Sequence, residues 1–285
     1  MKLVTFVKDA GEQVGIVSGD GVIALAKAAP SLPRDMIGLI SAWSDVRKDV
    51  ERASQSAPHC ALRDVRLLAP VPRPQKILAI GLNYADHIEE SGQARPERQI
   101  WFSKLPSAVN GPYDPIQIPK VSSAVDYEAE LVFVIGKRCR HVKKQEAVSA
   151  VFGYCAGNDV SVRDWQFHTP QWLLGKSFDT HAPFGPWIAT ADEVGDPHTL
   201  GIRCLVNGQV KQNSNTKNLV FNVFDQIALL SQAMTLEPGD VVFTGTPGGV
   251  GMASKPPAFL KPGDTVRVEI DRIGAIEAKV VAEAG

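Results

Sequence analysis

Residues 126–135 have the sequence DYEAELVFVI, in which alternating acids lead directly into an apolar run. The apolar part, 131–135, is ended by Gly136 and is typical of a buried strand. Side chains of an extended chain alternate between two faces, so we expect Asp126, Glu128 and Glu130 on the same side. The stretch therefore predicts a strand that carries carboxylates where it enters the core.

Short β-type runs surround this stretch, and helical patterns are few. Strands are predicted at 2–7, 14–17, 22–25, 76–80, 241–244, 265–270 and 275–281, and helices at 37–53 and 219–234. The pair Asn207-Gly208 predicts a two-residue hairpin turn. Because strand and helix do not alternate regularly, the fold class is predicted to be α+β with a mixed sheet.

A proline-rich segment at 69–74 divides the chain. Pro70, Pro72 and Pro74 block both helix formation and ladder pairing. We therefore place a domain boundary here, with a small N-terminal domain at 1–69 and a larger domain at 70–285. The alternative is a proline-rich loop inside a single domain.

The composition is that of an ordinary globular protein that acts on a small molecule. The 285 residues are 44% hydrophobic and 21% charged, and the formal net charge of −1 offers no basic surface for a nucleic acid. Four widely spaced cysteines form neither a disulfide framework nor a zinc motif. The sequence shows no signal-peptide core and no apolar run of about 20 residues, so we expect a cytoplasmic protein that does not bind membranes.

The acids at 126–130 need a positive partner, because like charges on one buried face repel each other. A hard divalent cation, Mg²⁺ or Mn²⁺, prefers such oxygen ligands. The alternative is a solvated strand face or ion pairs with Lys and Arg. Asp159 follows Gly157-Asn158 at the end of a β-like run and is a candidate for a third ligand.

His87 and Glu90 stand three residues apart and share a face if 84–90 forms a helical turn. A carboxylate bonded to one imidazole nitrogen leaves the other nitrogen free to take a proton from water. Glu89 is the off-face alternative partner. A surface His–Glu pair without a function is the other interpretation.

Two further stretches offer groups for an anionic substrate. The glycine-rich segment 244–251 follows a predicted strand but lacks the lysine of a phosphate loop. It either brings N–H groups and Thr246 against a substrate or is a flexible turn. Lys176, in 175–179, either binds a carboxylate or is solvated.

Five of these stretches, taken in order, resemble the fumarylacetoacetate hydrolase family. They are 81–87, 126–131, 157–160 with Arg163 and Gln166, 175–179, and 244–247. The resemblance implies a mixed β-roll catalytic domain, preceded by a small N-terminal α/β domain. It also implies assembly as a homodimer.

The same resemblance implies a role for each site residue. Mg²⁺ or Mn²⁺ would be held by Glu128, Glu130 and Asp159, and His87 with Glu90 would form a catalytic dyad on a short helix or lid that orders with substrate. Lys104 falls where relatives commonly have a lysine followed by proline, although a leucine interrupts that pair here. The other positions around metal and substrate are Arg163, Gln166, Thr246 and the catalytic Lys176.

These residues fit the hydrolysis of a carbon–carbon bond in a small 2,4-dioxo acid. The cation would chelate the carboxylate and the 2-oxo oxygen, while water deprotonated by His87 attacks C4 and pyruvate leaves as its enolate. We expect a 2,4-diketo-3-deoxy sugar acid such as that from L-rhamnonate or L-fuconate. Fumarylpyruvate or another acylpyruvate is the alternative substrate.

Other activities of the same fold stay open. A decarboxylase of oxaloacetate-like acids uses the same metal-stabilised enolate without an attacking water. Isomerases and hydratases of enolisable acids also belong to the family. From a different class, a non-catalytic metal- or anion-binding relative is possible, because a fold alone does not prove activity.

Overall fold

The computed structural model describes residues 1–8 and 11–284. The strands are β1 (Lys2–Lys8), β2 (Gly11–Ser18), β3 (Gly21–Ala24), β4 (Cys60–Ala61), β5 (Arg66–Leu67), β6 (Ile77–Gly81), β7 (Ile100–Lys104), β8 (Val109–Asn110), β9 (Ile116–Ile118), β10 (Val125–Asp126), β11 (Ala129–Ile135), β12 (Val151–Asn158), β13 (Ser161–Val162), β14 (Ala182–Thr190), β15 (Gly201–Val206), β16 (Gln209–Asn215), β17 (Val241–Phe243), β18 (Thr265–Ile270) and β19 (Gly274–Ala282). The helices are α1 (Leu25–Ala28), α2 (Met36–Ser41), α3 (Trp43–Ala53), α4 (Ala85–Ser91), α5 (Arg163–Gln166), α6 (Leu173–Lys176), α7 (Ala191–Val194) and α8 (Val223–Ala233).

Most strands belong to one mixed sheet of 12 strands, which confirms the predicted α+β class. Its order is β4-β3-β2-β1-β14-β12-β11-β17-β6-β7, with β5 beside β1 and β8 beside β14. The pairs β17–β6 and β8–β14 are parallel, whereas β11 is antiparallel to both of its neighbours. A second sheet of five strands has the order β16-β15-β18-β19-β9.

The strands before the proline-rich segment extend the large sheet. β1 pairs with β14 through Leu3 and Ile188, and with β5 through Phe6 and Leu67. The proline-rich segment itself connects β5 to β6. The division into a small domain at 1–69 and a larger one at 70–285 stays a prediction.

Strand β11 is buried along its whole length because it lies inside the large sheet, between β12 and β17. Its alternating side chains enter two different cores. Leu131, Phe133 and Ile135 pack in the core that includes residues of α8 and the five-stranded sheet. Val132 and Val134 pack in the core that includes residues of α2 and α3. The large sheet is therefore covered on both faces.

Two helices differ from their predictions at identifiable residues. The helix predicted at 37–53 is divided into α2 and α3 at Ala42, whose φ of −90° and ψ of 3° leave the helical range. The helix predicted at 219–234 begins only at Val223, because the Asn222 side chain accepts N–H groups of Phe224 and Asp225. A capping box of this kind ends the extended segment before it and fixes the helix start.

The hairpin predicted at Asn207-Gly208 connects β15 to β16. Both residues have positive φ angles, 52° and 76°, as a type I′ turn requires. The longest helices, α3 and α8, have 11 residues each. In the described part of the chain, no helix has both the length and the apolar character needed to cross a membrane.

Candidate active site

Three carboxylates converge at one end of the large sheet. Glu128 and Glu130 flank Ala129 at the start of β11, and Asp159 follows Asn158, which pairs with Ala129 across the ladder. One oxygen of each carboxylate lies within 4.8 Å of the others, and all three side chains are buried. We call Glu128, Glu130 and Asp159 the carboxylate cluster. These are the three residues predicted to share a divalent cation.

Two buried lysines lie among these carboxylates. Lys176 Nζ is 2.7 Å from a Glu128 oxygen and 2.7 Å from Asp159 Oδ2. Lys104, at the end of β7, places its Nζ 2.5 Å from Asp159 Oδ1. Ion pairing with lysine, weighed from the sequence as an alternative to metal binding, is thus present within the cluster.

The pKa values of the two glutamates of the cluster are shifted in opposite directions. Burial opposes ionisation of Glu128, but Lys176 and Arg163 outweigh it and lower its pKa to about 2. Burial and the neighbouring Asp159 and Glu128 hold the pKa of Glu130 well above its ordinary value. The positive charge near Glu130 is therefore too small to offset its burial and its two acidic neighbours, although its Oε2 accepts the Gly245 N–H at 2.7 Å.

The donor set fits a divalent cation. Buried carboxylate oxygens are the ligands that Mg²⁺ and Mn²⁺ prefer, and Glu130 needs a positive neighbour to ionise. Four buried acids of the site, including Asp126, face three buried cations, the two lysines and Arg163. One negative charge is left uncompensated when all seven are ionised. The cluster can thus hold a divalent ion.

Asp126 does not join the cluster, although the alternation in sequence placed it with Glu128 and Glu130. Its Oδ2 lies 2.9 and 2.8 Å from two nitrogens of Arg163, and its oxygens accept the N–H groups of Gly251 and Met252. The extended segment is interrupted between β10 and β11, so the simple alternation does not continue. Asp126 thus anchors Arg163 and the backbone at 251–252.

Arg163 in turn links Asp126 to the carboxylate cluster. Its Nη1 lies 2.7 Å from Glu128 Oε1 and 2.9 Å from the side-chain oxygen of Gln166. Burial alone would lower the pKa of Arg163, but the Glu128 and Asp126 carboxylates raise it. The guanidinium stays charged and fixes one side of Glu128.

His87 and Glu90 lie on α4, which we call the His87 helix. His87 Nδ1 is 3.3 Å from Glu90 Oε2, while Glu90 Oε1 accepts the Gly249 N–H at 2.8 Å. Burial would raise the pKa of Glu90, but the bonds from His87 and Gly249 lower it. The predicted pair is therefore formed, and its carboxylate is also bound to the glycine-rich segment.

The start of the His87 helix is tied to two other segments. The carboxylate of Asp86 accepts the Ser214 hydroxyl from β16 and the Gly248 N–H at 3.4 Å. Asn83, just before the helix, bonds through its amide to the carbonyl oxygens of Phe221 and Thr244 and to the Phe221 N–H. These contacts fix the start of the His87 helix beside the carboxylate cluster.

A small pocket of about 80 Å³ opens over the cluster. Phe102, Phe167 and Trp172 give it apolar walls. Seven of the ten residues predicted for the site line it, namely His87, Glu128, Glu130, Arg163, Gln166, Lys176 and Thr246. Glu90 and Asp159 do not line it but bond to His87 and Lys176, which do, and Lys104 bonds in turn to Asp159.

Three polar residues of this region were missed by the sequence analysis. Asn83 was quoted only as part of a family stretch, and Asp126 was predicted only to share a strand face with Glu128 and Glu130. Gln212, on β16, bonds through its amide to Thr246 and Pro247. A single glutamine in a strand of polar residues gives no signal in the sequence.

Comparison with known proteins identifies the family and a set of similar enzymes. A family model described as the C-terminal part of fumarylacetoacetate (FAA) hydrolase matches residues 76–281. A mitochondrial oxaloacetate tautomerase of Xenopus laevis is 47% identical over 94% of this chain and 86% of its own length. A mitochondrial oxaloacetate tautomerase of Homo sapiens is 45% identical over 95% and 88% of the two chains.

Solved structures of similar proteins agree with the assignment to this family. A putative HpcE protein from Mycobacterium smegmatis superposes with a TM-score of 0.92 at 37% identity, over the whole of both chains. Maleylpyruvate hydrolase from Sphingobium sp. SYK-6, in complex with manganese(II) and pyruvate, gives a TM-score of 0.85 at 35% identity over the whole of both chains. The second of these carries a divalent metal ion.

These relatives correct two predictions. Hydrolysis of a 2,4-dioxo acid is wrong as the main activity, because relatives that match nearly the whole chain are oxaloacetate tautomerases. The cytoplasmic location is also wrong, because the same relatives are named as mitochondrial. The first error arose because hydrolysis and tautomerisation stabilise the same enolate. The second arose because excluding secretion and a membrane span does not select a compartment.

Proposed function

The chain belongs to the fumarylacetoacetate hydrolase family and is an enzyme, and from that premise we propose that it interconverts the keto and enol forms of oxaloacetate or a similar 2-oxo dicarboxylic acid. The observation that carries the proposal is its 45–47% identity to oxaloacetate tautomerases over 94–99% of the chain. The pocket adds a candidate base, His87, and the carboxylates of Glu128 and Glu130 in its lining.

The charge of the pocket supports an anionic substrate. Lys176 and Arg163 line the pocket with buried positive charge, and a divalent cation held by the carboxylate cluster would add two more positive charges. The carboxylates of a small acid can pair with these groups, and buried charges interact more strongly than exposed ones. The small size of the pocket, about 80 Å³, favours a short substrate.

Glu128, Glu130 and Asp159 would hold Mg²⁺ or Mn²⁺, and a bound ion would stabilise negative charge that develops on the 2-oxo oxygen of the substrate. Lys176 fixes the geometry of these ligands, since its Nζ bonds to both Glu128 and Asp159. Lys104 holds the other oxygen of Asp159. The two lysines thereby reduce the repulsion between buried carboxylates.

His87 moves the proton in the proposed mechanism. Glu90 holds the Nδ1 side of the imidazole, which leaves Nε2 for the substrate. Nε2 takes a proton from C3 of the keto acid and returns it to the oxygen on C2. One C–H bond breaks and one O–H bond forms, so the imidazole ends the cycle unchanged.

The test follows the approach to equilibrium after enol oxaloacetate is dissolved in buffer, by the loss of its ultraviolet absorbance. We expect the purified protein with Mg²⁺ or Mn²⁺ to accelerate this loss in proportion to its concentration. Chelation should remove the acceleration, and added metal should restore it. In D₂O, exchange at C3 should accelerate equally. A folded protein that accelerates neither process with either metal would exclude the proposal.

The same assay separates tautomerisation from decarboxylation. Tautomerisation conserves total oxaloacetate, whereas decarboxylation releases pyruvate and CO₂ in equal amounts. We expect pyruvate to form no faster than in buffer with metal alone. Enzyme-dependent release of pyruvate would assign the decarboxylase activity instead.

We also propose that the chain forms a homodimer, following the resemblance to its family. Leu105, Phe167 and Leu174 are large apolar side chains that are exposed near the pocket. Leu105 lies beside the C-terminal end of α6, since its N–H bonds to Ser177. Light scattering on a sizing column should give twice the mass of one chain, and a monomer mass would contradict this.

A further inference from the structure

Gln212 is the one fully buried residue of the edge strand β16. The ladder between β15 and β16 shifts register at this point, from Cys204 opposite Gln212 to Leu205 opposite Val210. Such a bulge adds one residue to a strand and re-aims the side chains beside it. Here Gln212 is directed into the protein while its neighbours on the strand stay exposed.

The Gln212 amide is fully used, and its partners lie in two different segments. Its Oε1 accepts the Ala129 N–H at 2.9 Å. Its Nε2 donates to Thr246 Oγ1 at 2.8 Å and to the carbonyl oxygen of Pro247 at 2.8 Å. One acceptor and two donors are needed at this point, and an amide of this length supplies all three.

The first partner, Ala129, lies between two members of the carboxylate cluster. The ladder between β11 and β17 begins only at Val132, so it does not reach Ala129. Gln212 therefore supplies the acceptor for a buried N–H between Glu128 and Glu130. A buried N–H without an acceptor destabilises the folded chain, so losing this bond favours a shift of the peptide between the two ligands.

The other partners belong to the glycine-rich loop, residues 244–251, which also contacts the His87 helix. Gly249 donates its N–H to Glu90, and Gly248 donates to Asp86. A Cβ at Gly249 would collide with the carbonyl oxygen of Lys211, so the loop packs directly against β16. The loop is thus enclosed between Gln212 and the helix.

We propose that Gln212 is a positioning residue that holds the start of β11 and the glycine-rich loop in one arrangement, and through the loop the His87 helix. Gln212 does not itself line the pocket, and its bonds reach the site through Thr246 and through Ala129, which is not a metal ligand. The inference rests on the proposed metal site but not on the identity of the substrate. Substitution of groups that orient metal ligands in this way commonly lowers metal affinity or activity about 10- to 100-fold.

The test compares Gln212→Met with Gln209→Met in the full chain. Methionine keeps the length of the side chain but removes the three bonds, and Gln209 is an exposed glutamine on the same strand. Mn²⁺ affinity is measured by calorimetry without substrate, turnover at saturating Mn²⁺, and amide hydrogen exchange at residues 85–91. For Gln212→Met we expect about tenfold weaker Mn²⁺ binding, about tenfold lower kcat and faster exchange in the helix. Gln209→Met should match the wild type.

A purely structural role predicts a different result. Gln212→Met would then melt at a lower temperature while its Mn²⁺ affinity, kcat per folded molecule and helix exchange stay those of the wild type, and this would overturn the inference. If tautomerase activity is absent from the wild type, Mn²⁺ affinity and hydrogen exchange still decide the question.

A second variant covers the case in which Gln212→Met does not fold. Gln212→Glu keeps the acceptor for Ala129 and removes both donors to the loop. We expect kcat to fall about tenfold without weaker Mn²⁺ binding. Wild-type kcat and wild-type helix exchange in this variant would also overturn the inference.

Discussion

The carboxylate cluster and the His87 helix face the same pocket, but they are held in different ways. The cluster stands on two central strands, and its side chains are at most 7% exposed. Glu128 and Asp159 are joined to Lys104, Lys176 and Arg163. The helix has seven residues, and the side chains of His87 and Glu90 are 14% and 28% exposed. A helix of this length is not stable alone, so its position depends on a few side-chain bonds.

This difference separates two tasks of the proposed site. The part that stabilises charge is built into the sheet and is in place before a substrate arrives, as electrostatic stabilisation requires. The part proposed to move the proton is attached by side-chain bonds of Asp86 and Glu90 to β16 and to the glycine-rich loop. Changes in the cluster should therefore affect metal binding and turnover together, whereas changes in the helix should affect turnover alone.

The largest effect is expected from Glu130→Gln. The amide keeps an acceptor for the Gly245 N–H but cannot ionise, so Mn²⁺ affinity should fall at least about 100-fold and activity should be lost. The metal-free variant should nevertheless melt at a higher temperature than the metal-free wild type, because it removes a carboxylate held beside Asp159 and Glu128. Calorimetry with Mn²⁺ and thermal unfolding in chelator measure the two effects. A variant less stable than the wild type, or one that keeps its affinity, would contradict this account.

His87→Gln should separate the two regions. Removing the proposed base should lower kcat about 100- to 10,000-fold, the usual contribution of a positioned acid or base. Mn²⁺ affinity should stay that of the wild type, because the imidazole is not a ligand of the cluster. Turnover at saturating metal and calorimetry without substrate are the measurements. Metal binding that weakens together with kcat would show that the helix and the cluster are not independent.

Glu90→Gln should have a smaller effect. The carboxylate accepts one bond from His87 and one from Gly249, and an amide has a single oxygen with which to replace both acceptors. We expect kcat to fall about tenfold, as for other residues that orient a reacting group. Glu89→Gln is the matched control, since Glu89 is the exposed neighbouring acid on the same helix. Equal losses in the two variants would rule out an orienting role for Glu90.

Among these variants, His181→Phe should change activity least. It tests whether the buried side of the cluster keeps the imidazole of His181 uncharged. Burial lowers the pKa of His181 from 6.5 to about 4. Between these values the unfolded chain binds a proton that the folded chain does not, so stability should fall as pH decreases from 6.5 to 4. The loss should reach about 3 kcal/mol. The phenylalanine variant should lack this part of the pH dependence.

Urea unfolding at pH 7 and pH 4 measures the contribution of His181. Absolute stabilities of the two proteins are not the relevant comparison, because the variant also loses the bond from Nε2 to the Gln117 carbonyl oxygen. Identical pH slopes in the two proteins would mean that His181 is protonated in the folded state at ordinary acid pH.

Much of the fold near the site could be predicted because its signals are local. The apolar run 131–135 predicted β11, and Asn207-Gly208 predicted the turn between β15 and β16. Alternation predicted that Glu128 and Glu130 share a face. Asp159 was only a candidate until the family resemblance was added, because the pairing of Ala129 with Asn158 joins residues that no local period relates.

Other features could not be predicted because they depend on distant partners. Asp126 continues the alternation of the two glutamates in the sequence. Its oxygens, however, bond to Arg163 and to the backbone N–H groups at 251–252. Gln212 becomes a central contact only through a bulge in β16. The reaction was mispredicted for a chemical reason, since the acids and the imidazole serve any reaction that passes through an enolate.

The pairing of β1 with β14 has a consequence for the order in which the protein assembles. As the chain leaves the ribosome, β1, β2 and β3 can form a meander at once, and β5 can cover Phe6 and Val7. The edge at Lys2 and Leu3 has to wait for Ile188 and Ala189. At about 5–20 residues per second, synthesis from Leu3 to Ile188 takes roughly 10 to 40 seconds. During this time an open strand edge is available to other nascent chains.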